Sequence, residues 1–184
     1  MTNHSKGHSE GHPTGDPTGR RENRDGTDYV VYTRQFRAPI ETVWAAVTEP
    51  ARLERWIGTW TGDPAEGEIS FSMTAEGDDV QPEIYRIDRC EPPRRLHTRS
   101  TVPGNDFVWR LELDLAESDG VTTLTFAQVM HDPEVVENVG PGWDYYLDRL
   151  VAAEGGRDVG TVVWDDYYPA MADHYRAAFS ARAT

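Results

Sequence analysis

The sequence predicts an α+β fold: a curved, six-stranded antiparallel sheet, two short helices after the first strand, and a long C-terminal helical segment packed on the sheet. Three observations predict it. Apolar and polar residues alternate in successive runs between about residues 29 and 130, with short turns between the runs. A proline-started apolar stripe at helical spacing separates the first two runs, and the last third of the chain carries further stripes. Because one face of such a sheet is apolar, the helical segment is needed to cover it.

The first strand is predicted at residues 29–37, where Tyr32 and Phe36 share one face. Pro39 suits the first turn of the helix that follows, because its missing N–H would have no partner there in any case. A second short helix is predicted from Pro50. The apolar residues at helical spacing in these two segments are Ile40, Val43, Trp44, Val47, Leu53, Trp56 and Ile57.

The middle of the chain is predicted to form a meander of five further strands. The alternation is clearest in the fourth of them, where Trp109, Leu111 and Leu113 share a face. Ser118-Asp119-Gly120 predicts a tight hairpin turn between the last two strands. The five predicted ranges are 69–74, 83–89, 96–101, 107–115 and 121–130.

The C-terminal third is predicted to be helical. A first helix is expected around Trp143 and Leu150, which lie on the same stripe, and Gly155-Gly156 ends it. An extra C-terminal helix is predicted from about residue 162, with a kink or restart at Pro169.

Residues 1–27 are predicted to be a disordered N-terminal tail, and residues 28–184 a single domain. The tail is rich in Gly, Pro, Ser, Thr and charge, so it cannot bury enough apolar surface to offset the entropy of ordering. His4, His8 and His12 recur every four residues in it. The glycines between them and the proline after them disfavour the helix that would align these histidines for a metal ion.

Composition and charge exclude several classes of partner. The net charge is −14 and the only short basic cluster lies at residues 20–24, so neither nucleic acid nor an anionic membrane is a predicted partner. No apolar run could span a bilayer and the N-terminus lacks the apolar stretch of a secretory signal, so a cytoplasmic location is expected. Cys90 is the only cysteine, which excludes an intrachain disulfide and a multi-cysteine metal site. No metal and no cofactor is predicted.

A curved sheet under a helix encloses a cavity, and apolar pockets with a few polar groups are the usual ligand sites. Any single aromatic residue is expected to belong to the core, but six tryptophans and eight tyrosines as a set indicate a site for a flat or hydrophobic ligand. The side chains predicted to bind it are Trp44, Trp56, Trp60, Phe71, Met73, Tyr85, Trp109, Leu111, Phe126, Gln128, Trp143, Tyr146 and Leu150.

Catalytic motifs are missing from the sequence. It contains no serine nucleophile elbow, no HExxH and no phosphate-cradling glycine loop, so no catalytic residue is predicted. Candidate polar groups for the cavity are Arg34, Glu83, His97 and His131. A structural role is the alternative for each, since a buried charge needs a partner and Arg34 could pair with Glu83.

Three segments carry a resemblance to a known family. The first contains FRAP at 36–39 with VW at 43–44, and TEP at 48–50 with RW at 55–56; the second is DRCEPPRRL at 88–96; the third contains GW at 142–143 with LDRL at 147–150. The order of elements resembles the helix-grip fold of the START-like (SRPBCC) superfamily. The motifs resemble its bacterial heat-shock-protein-90 ATPase activator homologue-like domains, over about residues 28–154. This resemblance implies the fold, which hosts ligand carriers, cyclases, hydroxylase domains and co-chaperone pieces and therefore does not specify the function.

Three functions are open from the sequence. The first is binding of a small hydrophobic molecule without chemistry. The second is an enzyme similar to polyketide cyclases or aromatases, which would orient a folded chain and would be favoured if two or more polar side chains converged on one cavity. The third is an interaction module, either a homodimer through the extra aromatic stretch at 162–179 or a chaperone regulator. The acidic charge and the extra stretch argue against the chaperone role.

Overall fold

A computed structural model describes residues 15–76, 80–101 and 108–180. Within these ranges the strands are β1 (Arg20–Arg24), β2 (Thr27–Phe36), β3 (Thr59–Thr61), β4 (Glu68–Ser72), β5 (Glu83–Glu91), β6 (Arg95–Thr101), β7 (Val108–Ser118) and β8 (Val121–Val129). They form one curved antiparallel sheet in the order β1-β2-β8-β7-β6-β5-β4-β3. Because β2 lies beside β8, the chain returns to its first long strand before it enters the C-terminal helices.

Four helices accompany this sheet in the described ranges: α1 (Ile40–Thr48), α2 (Pro50–Leu53), α3 (Val136–Glu154) and α4 (Ala172–Ser180). The first two connect β2 to β3, and Pro50 opens α2 as its sequence position predicts. The long α3 packs on the sheet, and α4 contacts both α3 and β1. No helix of the described ranges has the length and apolar character needed to cross a bilayer.

The predicted α+β fold is confirmed, with eight strands in place of six. β3 was outside the prediction because three residues are too few for an alternation to be visible. β1 lies within the tail predicted to be disordered, so that prediction is wrong for residues 20–24. The histidines His4, His8 and His12 lie outside the described residues.

The stability of β1 comes from contacts that an apolar pattern does not reveal. Its sequence RRENR has no apolar residue, yet all five residues pair with β2 in an antiparallel ladder. Arg21 also pairs with Asp28 at 2.7 Å, and the Arg24 guanidinium lies over the Tyr29 ring at 4.5 Å. Backbone pairing and arginine contacts therefore replace apolar burial in this strand.

The two C-terminal helices begin at residues other than those predicted. α3 begins at Val136, before Trp143, and continues through Pro141, whose missing N–H leaves one carbonyl of the first turns without its helical partner. Gly155 follows the last residue of α3, as predicted. The extra helix begins at residue 172 and not near 162, because two short 3-10 turns and Pro169 come first.

Four large apolar side chains of this C-terminal segment face the domain itself. Tyr167 and Tyr175 are completely buried, and Met171 and Phe179 are nearly so. They join the same apolar core that lies between the sheet, α1 and α3. These four side chains are therefore not available to a partner, whereas Val163 and Trp164 of the same stretch are exposed, and the homodimer stays a prediction.

Candidate functional site

A cavity of about 920 Å³ lies between the sheet, α3 and the α1–α2 corner. This volume is within the range of small-molecule sites. Alternate residues of β4 to β8 point to the same face of the sheet and form one wall. The side chains of this wall are Ile69, Phe71, Tyr85, Ile87, Leu96, Thr98, Trp109, Leu111, Leu113, Leu124 and Phe126.

The helices supply the opposite walls. Trp44 on α1 and Trp56, which follows α2, line the corner, and Trp60 on β3 lies beside them. Trp143 and Tyr146 extend from α3 over the sheet. The centroids of the Trp143 and Phe126 rings lie 4.2 Å apart, so these two lining side chains pack against each other.

Three of these indole rings are fixed by the protein through their own N–H groups. The N–H of Trp56 donates to the carbonyl of Ala46 at 3.0 Å, and that of Trp60 donates to the carbonyl of Thr48 at 2.8 Å. The N–H of Trp143 donates to the Gln128 side-chain oxygen. Because these polar groups already have partners, the indoles present apolar ring surface to the cavity.

One group of polar side chains, which we call the carboxylate corner, consists of Glu83, Tyr85 and Ser100. Ser100 is 1% exposed and its hydroxyl donates to Glu83 at 2.7 Å. Tyr85 pairs directly with Ser100 in the β5–β6 ladder. The centroid of the Tyr85 ring lies 5.6 Å from that of Phe71, in an edge-on arrangement. Burial and the nearby Glu83 carboxylate raise the pKa of Tyr85, so this hydroxyl stays protonated.

Most residues predicted to bind a ligand do line the cavity. The exceptions are Gln128 and Leu150, both completely buried. Gln128 instead supports Trp143 from behind, and Leu150 belongs to the solid core under α3. Binding of a ligand by the lining residues stays a prediction.

Among the predicted polar cavity groups, only Glu83 lines the cavity. His97 lies on the outer face of the sheet, because it alternates with the inward Leu96 and Thr98. His131 is exposed in the segment before α3. Arg34 faces inward, as its strand parity predicts. It pairs with Asp148 and not with Glu83, so it contacts a face of α3 other than the one that lines the cavity.

The partners of Arg34 form what we call the arginine cluster: Arg34, Asp144, Asp148, Tyr167 and Tyr175. The guanidinium donates to Asp148 at 2.9 Å and to Asp144 at 3.2 Å. The Tyr167 hydroxyl donates to Asp148 at 2.8 Å, and that of Tyr175 donates to Asp144. Burial raises the pKa of both tyrosines, with the two aspartates adding to it.

Two glycines make room for Tyr175. A Cβ at Gly140 would lie 2.3 Å from the Tyr175 ring, and one at Gly19 would lie 2.6 Å from the Tyr175 hydroxyl. The N–H of Gly19 donates to this hydroxyl at 3.0 Å. The cluster thus joins the segment before β1, α3 and α4 at a point away from the cavity.

Trp164 is a cavity residue that sequence reasoning missed. It lies two residues after position 162, near which the extra helix was predicted to begin. In the structure it lies in a 3-10 turn, 40% exposed, and lines the cavity. Its ring stacks on Tyr168 at 5.9 Å and meets Tyr145 at 5.3 Å. The sequence shows a tryptophan in this segment, but no local pattern in it predicts that the segment folds back to the cavity.

A different group of side chains could hold a cation on the outer face of the sheet. His97, Glu112 and Asp114 offer ligand atoms within 4.8 Å of one another. However, Arg24 contacts Glu112 at 2.8 Å and Arg95 contacts Asp114 at 2.5 Å. Both carboxylates are therefore already neutralised by arginines.

The architecture of a long helix gripped by a curved antiparallel sheet, with a hollow between them, defines a START-like protein of the helix-grip class. The chain belongs to the family of activator of Hsp90 ATPase homolog 1-like proteins, whose model matches residues 37–154. The family resemblance noted in the sequence is thereby confirmed.

Solved structures show the same fold. CalU16 from Micromonospora echinospora is 24% identical, with a TM-score of 0.66 over 90% of this chain and 98% of that one. The protein encoded by BPP1335 from Bordetella parapertussis is 19% identical, with a TM-score of 0.62 over 100% and 96%. DynU16, a protein of the dynemicin biosynthetic locus, is 22% identical with a TM-score of 0.54, over 77% of this chain and 50% of that one. No curated protein matches the chain.

Proposed function

We propose that this protein binds one small hydrophobic or aromatic molecule in the cavity between the sheet and α3. The observation that carries the proposal is a cavity of about 920 Å³ whose wall is almost entirely apolar and rich in aromatic rings. Protein interiors are normally close-packed, with few voids larger than a water molecule. An apolar hollow of this size, with its indole N–H groups already bonded, is suited to an apolar guest.

The position of the fixed rings supports a flat guest in particular. Trp56, Trp60 and Trp143 are held by hydrogen bonds outside the cavity, so they need not reorganise when a guest enters. A preformed site loses less conformational entropy on binding. A cytoplasmic location remains part of this proposal.

The test combines native mass spectrometry with fluorescence. The freshly purified full chain would first be examined for a co-purified mass, and then titrated with 1-naphthalenemethanol while tryptophan emission is recorded. We expect a saturable change in emission, since six tryptophans line the cavity. The matched control is Thr98→Phe, which places a ring inside the cavity and should weaken the response. An unchanged emission with every apolar probe tried would contradict the proposal.

A second candidate function is a cyclase-like enzyme, and the carboxylate corner favours it. Glu83 and Tyr85 both line the cavity, so two polar side chains converge there. The protein DynU16 of the dynemicin biosynthetic locus shares the fold, which is in keeping with a polyketide-like substrate. In this case Glu83 would accept a proton while Tyr85, kept protonated, donates a hydrogen bond.

Incubation with a short linear poly-β-ketone separates the two candidates. An aldol ring closure forms one carbon–carbon bond and, on dehydration, releases one water. A product lighter by one water, formed by the natural chain and not by Glu83→Gln, would establish the enzyme. Saturable binding, with the ketone recovered unchanged in both mass and chromatographic retention, would leave the carrier function alone.

A further inference from the structure

Glu83 is the one charged side chain among the described residues that line the cavity. The Ser100 hydroxyl, 1% exposed, holds one of its carboxylate oxygens at 2.7 Å. Glu83 itself is half-buried and stands opposite Phe71 in the β4–β5 ladder. The carboxylate is therefore fixed by the sheet against a predominantly apolar wall.

Two cations of the β5–β6 ladder, Arg86 and Arg99, have partners other than Glu83. Arg86 and Arg99 alternate with the inward Tyr85 and Ser100, so they lie on the outer face of the sheet. There Arg86 lies 3.8 Å from Glu68, and Arg99 lies 3.2 Å from Asp88. Among the described residues no ion pair of Glu83 is found, so a cation that enters the cavity would meet a half-buried carboxylate set in apolar surroundings.

The surroundings of Glu83 suit a cation attached to an apolar body. The Phe71 and Tyr85 rings meet edge-on at 5.6 Å beside the carboxylate, and aromatic faces attract cations. Charge attraction is also stronger in an apolar site than in water. At longer range, the net charge of −14 favours the approach of cations over anions.

We propose that the guest of this cavity is a hydrophobic or aromatic amine in its protonated form, with its ammonium group at Glu83. This inference rests on the function proposed above and adds the chemical class of the ligand. The aromatic body of the amine fills the space between the sheet and α3. Its ammonium group donates to the Glu83 oxygen, and Ser100 keeps that carboxylate in position.

The test compares two probes that share a ring system and differ in charge. 1-Naphthylmethylamine is a cation at neutral pH, and 1-naphthalenemethanol is neutral. Isothermal titration of the full natural chain would measure the Kd of each. We expect the amine to bind about tenfold more tightly or better, since hydrogen bonds to charged groups exceed neutral ones by such a margin.

Two variants locate the effect. Glu83→Gln keeps the shape of the side chain and removes its charge, so the preference for the amine should fall to about that of the neutral pair. Glu68→Gln removes an exposed carboxylate on the outer face and should leave the preference unchanged. The comparison of the two probes on the natural chain stands even if Glu83→Gln folds poorly.

The outcomes are distinct. Tighter binding of the amine that depends on Glu83 supports the inference. Equal binding of both probes, or an amine preference that survives Glu83→Gln, overturns it while leaving an apolar binding protein. If neither probe binds, the proposed function fails together with the inference.

Discussion

The helix α3 contacts the rest of the molecule through two different faces. Trp143 and Tyr146 face the cavity, where they border an apolar hollow. Asp144 and Asp148 face the arginine cluster, where Asp144 is 1% exposed and hydrogen-bonded on both oxygens. The first face is loosely filled and apolar, and the second is tightly filled and polar.

The difference shows how a domain can keep a cavity without losing its fold. Side chains of the protein do not pack against one another across a cavity, so the helix above it needs support from elsewhere. The arginine cluster supplies this support through directional bonds that fix the rotation of α3 relative to β2. The C-terminal segment completes the cluster with Tyr167 and Tyr175. We infer that the extra segment stabilises the roof of the cavity.

Loss of Arg34 is expected to have the largest effect. Arg34→Met leaves the buried Asp144 and the partly buried Asp148 without their cation, so the free energy of unfolding should fall by about 3–5 kcal/mol. Urea denaturation measures it. The control is Arg176→Met, since Arg176 also pairs with two carboxylates but is 53% exposed, and its loss should cost at most about 1 kcal/mol. Equal losses in the two variants would contradict the structural role of the cluster.

Removal of the Tyr175 hydroxyl is expected to have the next largest effect. Tyr175→Phe leaves Asp144 and the N–H of Gly19 with one partner fewer, so stability should fall by about 1–3 kcal/mol. Tyr168→Phe, near the surface beside Trp164, is the control and should change stability little. Urea titrations at neutral pH measure the free energy of unfolding of both variants.

The same tyrosine gives the stability a dependence on alkaline pH. Burial and the Asp144 carboxylate raise the pKa of Tyr175, so the unfolded chain loses this phenolic proton first as the pH rises past about 10. Its contribution is complete below that pH and is lost progressively above it. We expect the urea midpoint to fall as the pH rises above about 10, and to fall less steeply in Tyr175→Phe. Parallel curves would be evidence against this assignment.

Enlarged side chains compare the two faces of α3 directly. Thr98→Phe adds a ring on the cavity side, where there is space, so it should cost less than about 1 kcal/mol while it blocks binding of a naphthalene probe. Ala152→Leu adds bulk where Ala152 is completely buried in the core, so it should cost about 1–3 kcal/mol. Urea denaturation of both variants measures the contrast. A larger cost for Thr98→Phe than for Ala152→Leu would mean that the cavity is not empty space.

Truncation of Trp164 is expected to have the smallest effect on stability. This ring is 40% exposed at the edge of the cavity, so Trp164→Ala should lower stability by about 1 kcal/mol or less. The Kd of a naphthalene probe should rise by about two- to tenfold, since one aromatic contact contributes about 0.5–1.5 kcal/mol. Titration by fluorescence measures it. An unchanged Kd would remove the C-terminal segment from the site.

The cavity wall was largely predictable from the sequence and the arginine cluster was not. Strand parity places Phe71, Tyr85 and Trp109 on one face because side chains alternate along a strand whatever surrounds them. The partners of Arg34 depend on the rotation of α3 and on the path of the chain near Thr18. These contacts are tertiary, and no local sequence pattern predicts them.

The residues that were misplaced follow the same rule. Strand parity correctly predicts that Gln128 faces inward. Whether Gln128 lines the cavity or lies behind Trp143 and accepts its indole N–H depends on the position of Trp143. Ser100 was not named because a small polar residue on a short strand has no feature of its own. Its role appears only when β5 and β6 pair and bring it opposite Tyr85.

The most direct test of the cavity is an NMR measurement of contacts between 1-naphthalenemethanol and the protein. The structure predicts intermolecular NOEs from the naphthalene ring to both walls at once, to Phe71 and Leu111 on the sheet and to Trp143 on α3. NOEs confined to exposed apolar residues such as Ile84 and Val163, or none at all, would contradict the account.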